Sequence, residues 1–189
     1  MKLALGILAI MALAAVSFVN VHQGGPMTVA NVDIQRYVGL WYAVAHIPTK
    51  FEAGCAQGTT AYYALLPNGQ VEVTNTCYSA AGKPSRIVGR AWIPDASQPG
   101  KLKVSFVRLL GLSFFPADYW VLDLGADYSY AVVGDPSRTF GWILSRTPTL
   151  PDDVLTGIYG RLIASGYAKD QFVPIDQTMN LAKRLPASG

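Results

Sequence analysis

The chain has 189 residues, of which 51% are hydrophobic and 14% are charged, and its formal net charge is +3. This composition excludes a disordered chain, a collagen-like chain and a coiled coil, and the length suits one domain. Lys and Arg form no run longer than Lys183-Arg184, so we expect no nucleic-acid partner.

The first element is an apolar segment at residues 3–19, which follows Lys2. Such a segment is typical of a secretory signal, and it is also just long enough for a membrane anchor. We assign residues 1–20 to a signal peptide or N-terminal anchor and residues 21–31 to a linker. Both alternatives predict a folded part outside the cytoplasm. No Cys comes directly after the segment, so an outer-membrane lipid anchor is not supported.

Cys55 and Cys77 are the two cysteines of the chain. In an oxidising compartment an even number favours one disulfide, and the alternative is two buried free thiols. If Asn68-Gly69 is the tip of a two-residue hairpin, Cys77 faces Thr60, and the bridge requires the preceding loop to fold back. Two cysteines supply too few ligands for zinc, and we expect neither a metal nor a cofactor.

Short apolar or alternating runs, separated by turn residues about every ten positions, follow from Gly39 onward and predict β-strands. Val154, Ile158 and Leu162 recur every four residues and predict one helix at residues 151–164. The fold class is therefore all-β, an eight-stranded antiparallel up-and-down β-barrel at residues 32–176 with the helix packed outside. We expect residues 177–189 to form a flexible tail. The predicted strands are 40–47, 58–66, 70–78, 86–93, 101–108, 118–124, 128–134 and 140–146.

An eight-stranded barrel is either filled by side chains or holds one small ligand. Strand alternation places Gly89 and Ala91 inside, where they leave space, together with aromatic rings and one amide. For the rings the alternative is core packing, and for the amide it is a cross-strand hydrogen bond. The residues that we expect to line a ligand site are Tyr63, Asn75, Phe106, Trp120, Leu122 and Tyr130.

Three segments carry a family resemblance: Gly39-Leu40-Trp41-Tyr42, Asp127-Tyr128, and Arg146 at the end of the eighth strand. They resemble the signatures of the lipocalin family, in particular its branch of apolipoprotein D and the bacterial outer-membrane lipocalins. In an up-and-down barrel all three lie at one end. We expect Trp41 to close that end under the guanidinium of Arg146, so that Gly39, Trp41, Asp127 and Arg146 stabilise the scaffold.

The fifth loop, at residues 109–115, lies at the opposite end and carries no charge. Its apolar side chains either fold inward as a lid, or enter a membrane, or pack on another loop or in a dimer. Arg108 precedes the loop, where it is placed to bind a carboxylate or phosphate or is simply solvated. The predicted rim residues are Arg108, Leu110, Leu112, Phe114 and Phe115.

The resemblance implies a binder of fatty acids, lysophospholipids or similar lipids in the bacterial cell envelope, serving membrane maintenance. We expect a periplasmic or secreted protein that is anchored, if at all, by residues 3–19. Peripheral contact with a membrane is an alternative. We expect either a monomer or a weak dimer. Catalytic motifs are absent from the sequence, and we expect His46 at the surface. Two other functions remain open: a lipid isomerase that uses a cup thiol, and a protein-interaction module that uses the apolar loop.

Overall fold

The computed structural model describes residues 25–182. The predicted signal or anchor at residues 1–20, the first part of the linker at residues 21–24 and residues 183–189 lie outside this range, as do the side chains of Arg108, Leu181 and Ala182. Within residues 25–182, no helix combines the length and the apolarity that crossing a membrane requires.

Antiparallel strands form a sheet that closes on itself, because the last strand of the barrel pairs with the first. This confirms the predicted eight-stranded up-and-down barrel. The fifth predicted strand is divided, since its second half leaves the barrel and forms a separate two-stranded hairpin. The strands are β1 (Gly39–His46), β2 (Gln57–Leu65), β3 (Val71–Tyr78), β4 (Pro84–Trp92), β5 (Lys101–Ser105), β6 (Val107–Leu109), β7 (Leu112–Phe114), β8 (Ala117–Leu124), β9 (Tyr130–Gly134) and β10 (Gly141–Ser145).

The closed end, which we call the base, is built around Trp41. A short helix, α1 (Ile34–Tyr37), leads into β1, and Trp41 is fully buried and donates from Nε1 to Tyr37 O at 2.8 Å. Gly39 has φ +99°, and a Cβ there would lie 3.3 Å from the guanidinium of Arg146. Glycine at this position therefore leaves the space that the Arg146 side chain occupies at the base.

The barrel does not close evenly at the other end, which we call the mouth. β4 pairs with β5 only through Arg90, Ala91 and Trp92, at its base half. The mouth half of β4, residues 84–88, pairs with β3 on its other side. Ile87 and Val88 in this half are 50% and 40% exposed. The β4–β5 seam therefore opens toward the mouth.

The predicted helix is α2 (Asp152–Ala164), and it packs on the outer face of the barrel. Asp152 and Asp153 in its first turn suit the positive end of the helix dipole. Ile158 and Leu162 are buried against Val132 and other outward side chains of the sheet. This confirms both the predicted helix and its position outside the strands.

The chain after α2 closes a second gap, between β1 and β2. It forms a 3-10 turn (Lys169–Gln171), a strand, β11 (Val173–Pro174), that pairs with the mouth half of β1, and a helix, α3 (Thr178–Ala182). The amide of Gln177 is buried and donates to Ala43 O at 2.7 Å and to Thr59 O at 2.9 Å. The packed part therefore extends beyond the boundary predicted at residue 176, because this amide joins two strands that diverge.

The expected disulfide is present. Cys55 and Cys77 are bonded, with their Cα atoms 5.4 Å apart. The expected strand register was wrong by one residue, since Thr60 faces Thr76 rather than Cys77. A β-bulge between Gln57 and Thr60 and the left-handed Gly58 (φ +64°) fold the preceding segment back over β3. The loop therefore makes the bridge that a regular hairpin would not allow.

Candidate functional site: the barrel interior and its mouth

Three tyrosine hydroxyls form a chain across the base half of the interior. The hydroxyl of Tyr119 lies 2.9 Å from that of Tyr37 and 2.9 Å from that of Tyr63. Burial raises the pKa of Tyr63 to about 12, and it raises the pKa values of Tyr37 and Tyr119 well above their usual range. The three phenols are therefore neutral near pH 7, and their mutual hydrogen bonds satisfy them in an apolar setting.

The enclosed space beside these tyrosines is small. Its volume is about 10 Å³, which is room for one water molecule, whereas small-molecule sites are typically about 300 to 1,000 Å³. The space is lined by tyrosine, as expected, but it is far smaller than the predicted ligand cup. The lining residues are Ile34, Tyr37, Val38, Tyr63, Val71, Val73, Ala91, Leu102 and Tyr119.

Phe106 occupies the interior space that glycine leaves open. A Cβ on Gly89 would lie 2.7 Å from Cδ1 of the Phe106 ring and 2.7 Å from Ser105 O. Gly89 faces Val73 across the β3–β4 pair, and Val73 is buried in the core. The predicted inward direction of Phe106 is therefore confirmed, and its ring fills the place that the sequence suggested for a ligand.

Asn75 lies on β3, one inward position nearer the mouth than Val73. Its Oδ1 atom is buried and has no hydrogen-bond partner among residues 25–182. The expected alternative, a cross-strand hydrogen bond, does not satisfy this oxygen. A buried acceptor without a donor is destabilising by about 1 to 3 kcal/mol. The interior therefore carries one polar atom that a bound molecule would satisfy.

Three of the predicted ligand-lining residues do not point inside. On β8, Tyr119 faces Leu102 of β5 and shares the interior with it, so its neighbour Trp120 lies outside. The Trp120 ring lies 4.6 Å from Lys101 Nζ and its Nε1 donates to Asp118 Oδ1 at 3.2 Å. Sequence reasoning placed Trp120 inside because both faces of this strand are apolar at its centre.

Leu122 and Tyr130 were wrongly placed inside for a related reason. Leu122 lies two positions after the outward Trp120 and is therefore also on the outer face of β8, where it packs under α2 together with Tyr130. A bulge between Val121 and Asp123 places Asp123 on the same face, where it pairs with Arg161 of α2. The Tyr130 hydroxyl accepts a hydrogen bond from Arg161 at 3.0 Å. On β8 and β9 the inward residues that the sequence reasoning missed are Tyr119, Val121, Ala131 and Val133. Asp118 was the available signal, because an acidic residue two positions before Trp120 indicates that their shared face is the outer one.

The first mouth loop is fixed by Glu52, which lies on a 3-10 turn (Lys50–Glu52). Its carboxylate lies 3.2 Å from His46 Nδ1 and accepts from Trp142 Nε1 at 3.2 Å and from Thr49 Oγ1 at 3.1 Å. Burial raises the pKa of Glu52, but the hydrogen bonds from His46 and Trp142 outweigh it and leave the pKa below its usual 4.5. His46 was expected at the surface, yet its side chain is only 15% exposed because Glu52 covers it.

The β6–β7 hairpin projects from the mouth. We call residues 107–115 the mouth hairpin. Leu110 is 93% exposed and Phe115 is 85% exposed, so they do not form an inward lid in this structure. Ser105 joins the hairpin to β5, because its hydroxyl donates to Phe114 O at 2.6 Å and accepts from Val107 N at 3.3 Å. The hairpin is thus a separate unit attached beside Phe106. The other rim residues are Leu112 and Phe114, which are 64% and 38% exposed.

A metal site is not formed by the described residues. Within residues 25–182, no three side chains of His, Cys, Asp or Glu come together as ligands. His46 and Glu52 are neighbours, but they bond to each other and to Trp142. The candidate site is therefore the apolar interior between the tyrosine chain and the mouth, with Asn75 as its unsatisfied polar atom.

Comparison with solved structures supports the same architecture. The chain resembles insecticyanin from the tobacco hornworm Manduca sexta, with a TM-score of 0.63 and 23% identity over 80% of this chain and 83% of that one. It also resembles the cockroach allergen Per a 4, with a TM-score of 0.62 and 20% identity over 81% of this chain and 93% of that one. At these identities the likeness concerns the fold.

Comparison of sequences identifies the family. Residues 32–177 match the family model of the Lipocalin-like domain. Temperature-induced lipocalin-1 of Arabidopsis thaliana is 37% identical over 74% of this chain and 76% of its own length. Apolipoprotein D of Mus musculus is 35% identical over 84% of this chain and 85% of its own length. Outer membrane lipoprotein Blc of Escherichia coli K12 is 34% identical over 81% of this chain and 84% of its own length. The chain therefore belongs to the lipocalin-like family, whose members bind small hydrophobic ligands.

Proposed function

We propose that this protein binds a fatty acid or a lysophospholipid in the mouth half of its barrel and carries or stores it in the cell envelope. The observation that supports this most directly is the buried Asn75 Oδ1, which lacks a donor in an otherwise apolar interior. A lysophospholipid hydroxyl or a protonated carboxylic acid supplies that donor. The acyl chain would lie along Val73 and Gly89, which belong to the apolar interior wall.

Loading requires the Phe106 ring to leave its place against Gly89. Two features favour this movement. The mouth half of β4 is not paired with β5, and Phe106 lies at a bend between Ser105 and the mouth hairpin. When the ring swings toward the hairpin, the side-chain-free face of Gly89 becomes the wall of a wider cavity. Loading would therefore widen the seam at which the mouth half of β4 is not paired with β5.

The expected affinity is modest. Burial of about 300 Å² of apolar ligand surface contributes roughly 7 kcal/mol before losses, which corresponds to micromolar binding at best. Displacement of Phe106 reduces this gain further, because the ring loses its own burial. Tight and selective binding of one chain length is therefore not expected from an apolar interior.

A carrier is favoured over an enzyme. The rival lipid isomerase would use a cup thiol, but the sulfur atoms of Cys55 and Cys77 are joined to each other. The bridge therefore removes the nucleophile that this alternative requires. A disulfide also persists in oxidising compartments, which supports the proposal that the chain is exported. The name of the relative in Escherichia coli, an outer membrane lipoprotein, supports the cell envelope as the site of action.

Native mass spectrometry of protein purified without detergent tests the proposal, together with calorimetric titration of oleic acid and lysophosphatidylcholine. We expect a bound lipid and micromolar affinity. Asn75→Leu keeps the volume and removes the unsatisfied acceptor, so it should weaken lysophospholipid binding roughly tenfold while leaving the fold as stable or more stable. Thr74→Val, on the opposite face of β3, is the matched control. An empty barrel that binds neither lipid would refute the proposal.

A further inference from the structure

We infer that the mouth end of the barrel docks on an anionic phospholipid bilayer, with Leu110 and Phe115 as the side chains that enter it. This inference rests on the proposed function, because a bilayer is the source and the destination of such ligands. It is carried by the backbone of the mouth hairpin, by the exposure of its apolar side chains and by the charges of the neighbouring loops.

The tip of the mouth hairpin holds a leucine in a conformation that leucine disfavours. Leu110 and Gly111, between the paired Leu109 and Leu112, have φ values of +49° and +81°. Positive φ at both central residues is the arrangement of tight hairpins that strongly favours Asn-Gly or Asp-Gly. Leu110 therefore has an unfavourable backbone, and its side chain is 93% exposed. Neither feature stabilises the isolated fold.

Phe115 at the other end of β7 repeats this combination, with φ +51° and 85% exposure. Two other non-glycine residues, Tyr128 and Arg138, also have positive φ, but contacts within the protein account for them. The Tyr128 hydroxyl accepts from Asp33 N, and Arg138 donates to Ser165 O. At Leu110 and Phe115 the unfavourable backbone instead presents apolar groups to the surroundings, which points to a function.

The adjoining mouth loops add an apolar residue and positive charge. Phe51 in the first loop is 91% exposed, and its neighbour Lys50 is exposed too. Lys83 and Arg86, where β4 begins, are also exposed. These side chains surround an end of the molecule from which apolar groups project. Apolar side chains flanked by cations match the apolar core and the anionic headgroups of a bilayer.

Two acidic residues of the mouth loops contribute little charge to the surface. Glu52 is bonded to His46 and Trp142. Asp135 is only 6% exposed and accepts hydrogen bonds from the loop that follows it. Asp170 and Asp176 are exposed in the segment beside the mouth ends of β1 and β2, and the exposed Lys169 offsets the first of them. Lys50, Lys83 and Arg86 outnumber the remaining exposed carboxylate. This balance favours a negatively charged surface over a neutral one.

The test is sedimentation of the full chain with vesicles of phosphatidylcholine alone and of phosphatidylcholine mixed with phosphatidylglycerol. We expect binding to the mixed vesicles that weakens as salt is raised. Leu110→Asn suits the left-handed backbone and removes the apolar side chain, so it should raise the melting temperature and weaken vesicle binding roughly tenfold. Ile163→Gln is the matched control, because Ile163 is an apolar residue on α2 that is 55% exposed; it should leave vesicle binding unchanged.

Two results would overturn the inference: no binding of the wild-type chain to mixed vesicles, or equal losses in Leu110→Asn and Ile163→Gln. Self-association that Leu110→Asn abolishes, seen by sedimentation velocity without vesicle binding, would assign the mouth hairpin to a dimer instead and also overturn it. Titration of oleic acid in solution separates this inference from the proposed function. Leu110→Asn should keep its affinity for oleic acid, whereas Asn75→Leu should keep its vesicle binding.

Discussion

The guanidinium carbon of Arg146 lies 3.7 Å from the centre of the Trp41 ring at the base of the barrel. The same guanidinium donates to Leu40 O at 2.8 Å and to Arg36 O at 2.7 Å. Arginine is required here in two ways, because its flat face stacks on the indole while its N–H groups donate to carbonyls at the end of α1 and the start of β1.

Arg146→Lys should therefore lower the free energy of unfolding by about 2 kcal/mol, since an ammonium group does not stack and replaces only part of the hydrogen bonds. Urea unfolding followed by far-ultraviolet circular dichroism measures this. Arg86→Lys on the exposed half of β4 is the control and should change stability by less than about 0.5 kcal/mol. Equal effects in the two variants would show that the stack does not stabilise the base.

The loop that follows β9 depends on the carboxylate of Asp135. It accepts from Ser137 Oγ, and its Oδ1 accepts from the backbone N–H groups of Thr139 and Phe140, each at 2.8 Å. Burial raises the pKa of Asp135, but these hydrogen bonds outweigh it and leave the pKa below its usual 3.8. A carboxyl with a lowered pKa in the folded state stabilises the fold above its unfolded-state pKa, and this stability is lost as pH falls through the folded-state pKa.

Asp135→Asn should then lower the free energy of unfolding by about 2 kcal/mol at neutral pH, because the amide has no charge and one acceptor oxygen fewer than the carboxylate. The difference from wild type should shrink as pH falls below the ordinary carboxyl pKa of 3.8. Thermal unfolding of both proteins across this range measures the difference. A constant gap between the two melting curves would contradict the assignment.

Reduction of the disulfide should destabilise the protein by about 3 kcal/mol. Cys55 and Cys77 are separated by 22 positions. A cross-link over this distance stabilises the fold because it lowers the conformational entropy of the unfolded chain. Cys55→Ala with Cys77→Ala, unfolded in urea beside the oxidised wild type, measures this. Because the bridge fixes the first mouth loop to β3, proteolysis within residues 47–56 should also accelerate. Unchanged cleavage there would show that Glu52 alone holds the loop.

Phe106→Ala should raise the affinity for oleic acid several-fold and lower stability by about 2 kcal/mol, because it removes the ring that a ligand must displace. Trp120→Ala deletes an aromatic ring from the outer face and is the matched control, so its affinity for oleic acid should equal that of wild type. Calorimetric titration of the two variants distinguishes them. Loss of affinity in Trp120→Ala would restore the interior position that the sequence suggested for this residue.

The sequence was sufficient for the barrel, because turn residues at regular intervals and alternation such as that of Leu102 and Val104 specify strands directly. The structural role of Trp41 and Arg146 was predicted from the family resemblance, and from the alternating direction of the strands, which places both residues at the same end of the barrel. The disulfide was predicted from the expected oxidising compartment. Its local geometry depends on a bulge near Gly58, which the alternation of residues along the sequence does not indicate.

The interior was harder to predict for a physical reason. A one-residue change of register moves every side chain of a strand to the other face, and β8 is apolar on both faces because α2 covers part of its outside. Trp120 and Leu122 were therefore misplaced. The position of Phe106 against Gly89 depends on where β5 leaves the barrel, which is a tertiary property rather than a pattern along the chain.

The unpaired edge of β4 at the mouth exposes the protein to aggregation, and two residues of this edge limit that risk. A strand half without a neighbour on one side offers free backbone donors and acceptors, and such edges invite fibril-like growth from molecule to molecule. On this half of β4, Pro84 brings no N–H group and Arg86 holds a charge in the solvent. Both features discourage templated aggregation. If loading widens this seam, as proposed above, these two residues would lower the tendency of the widened edge to pair with a second molecule.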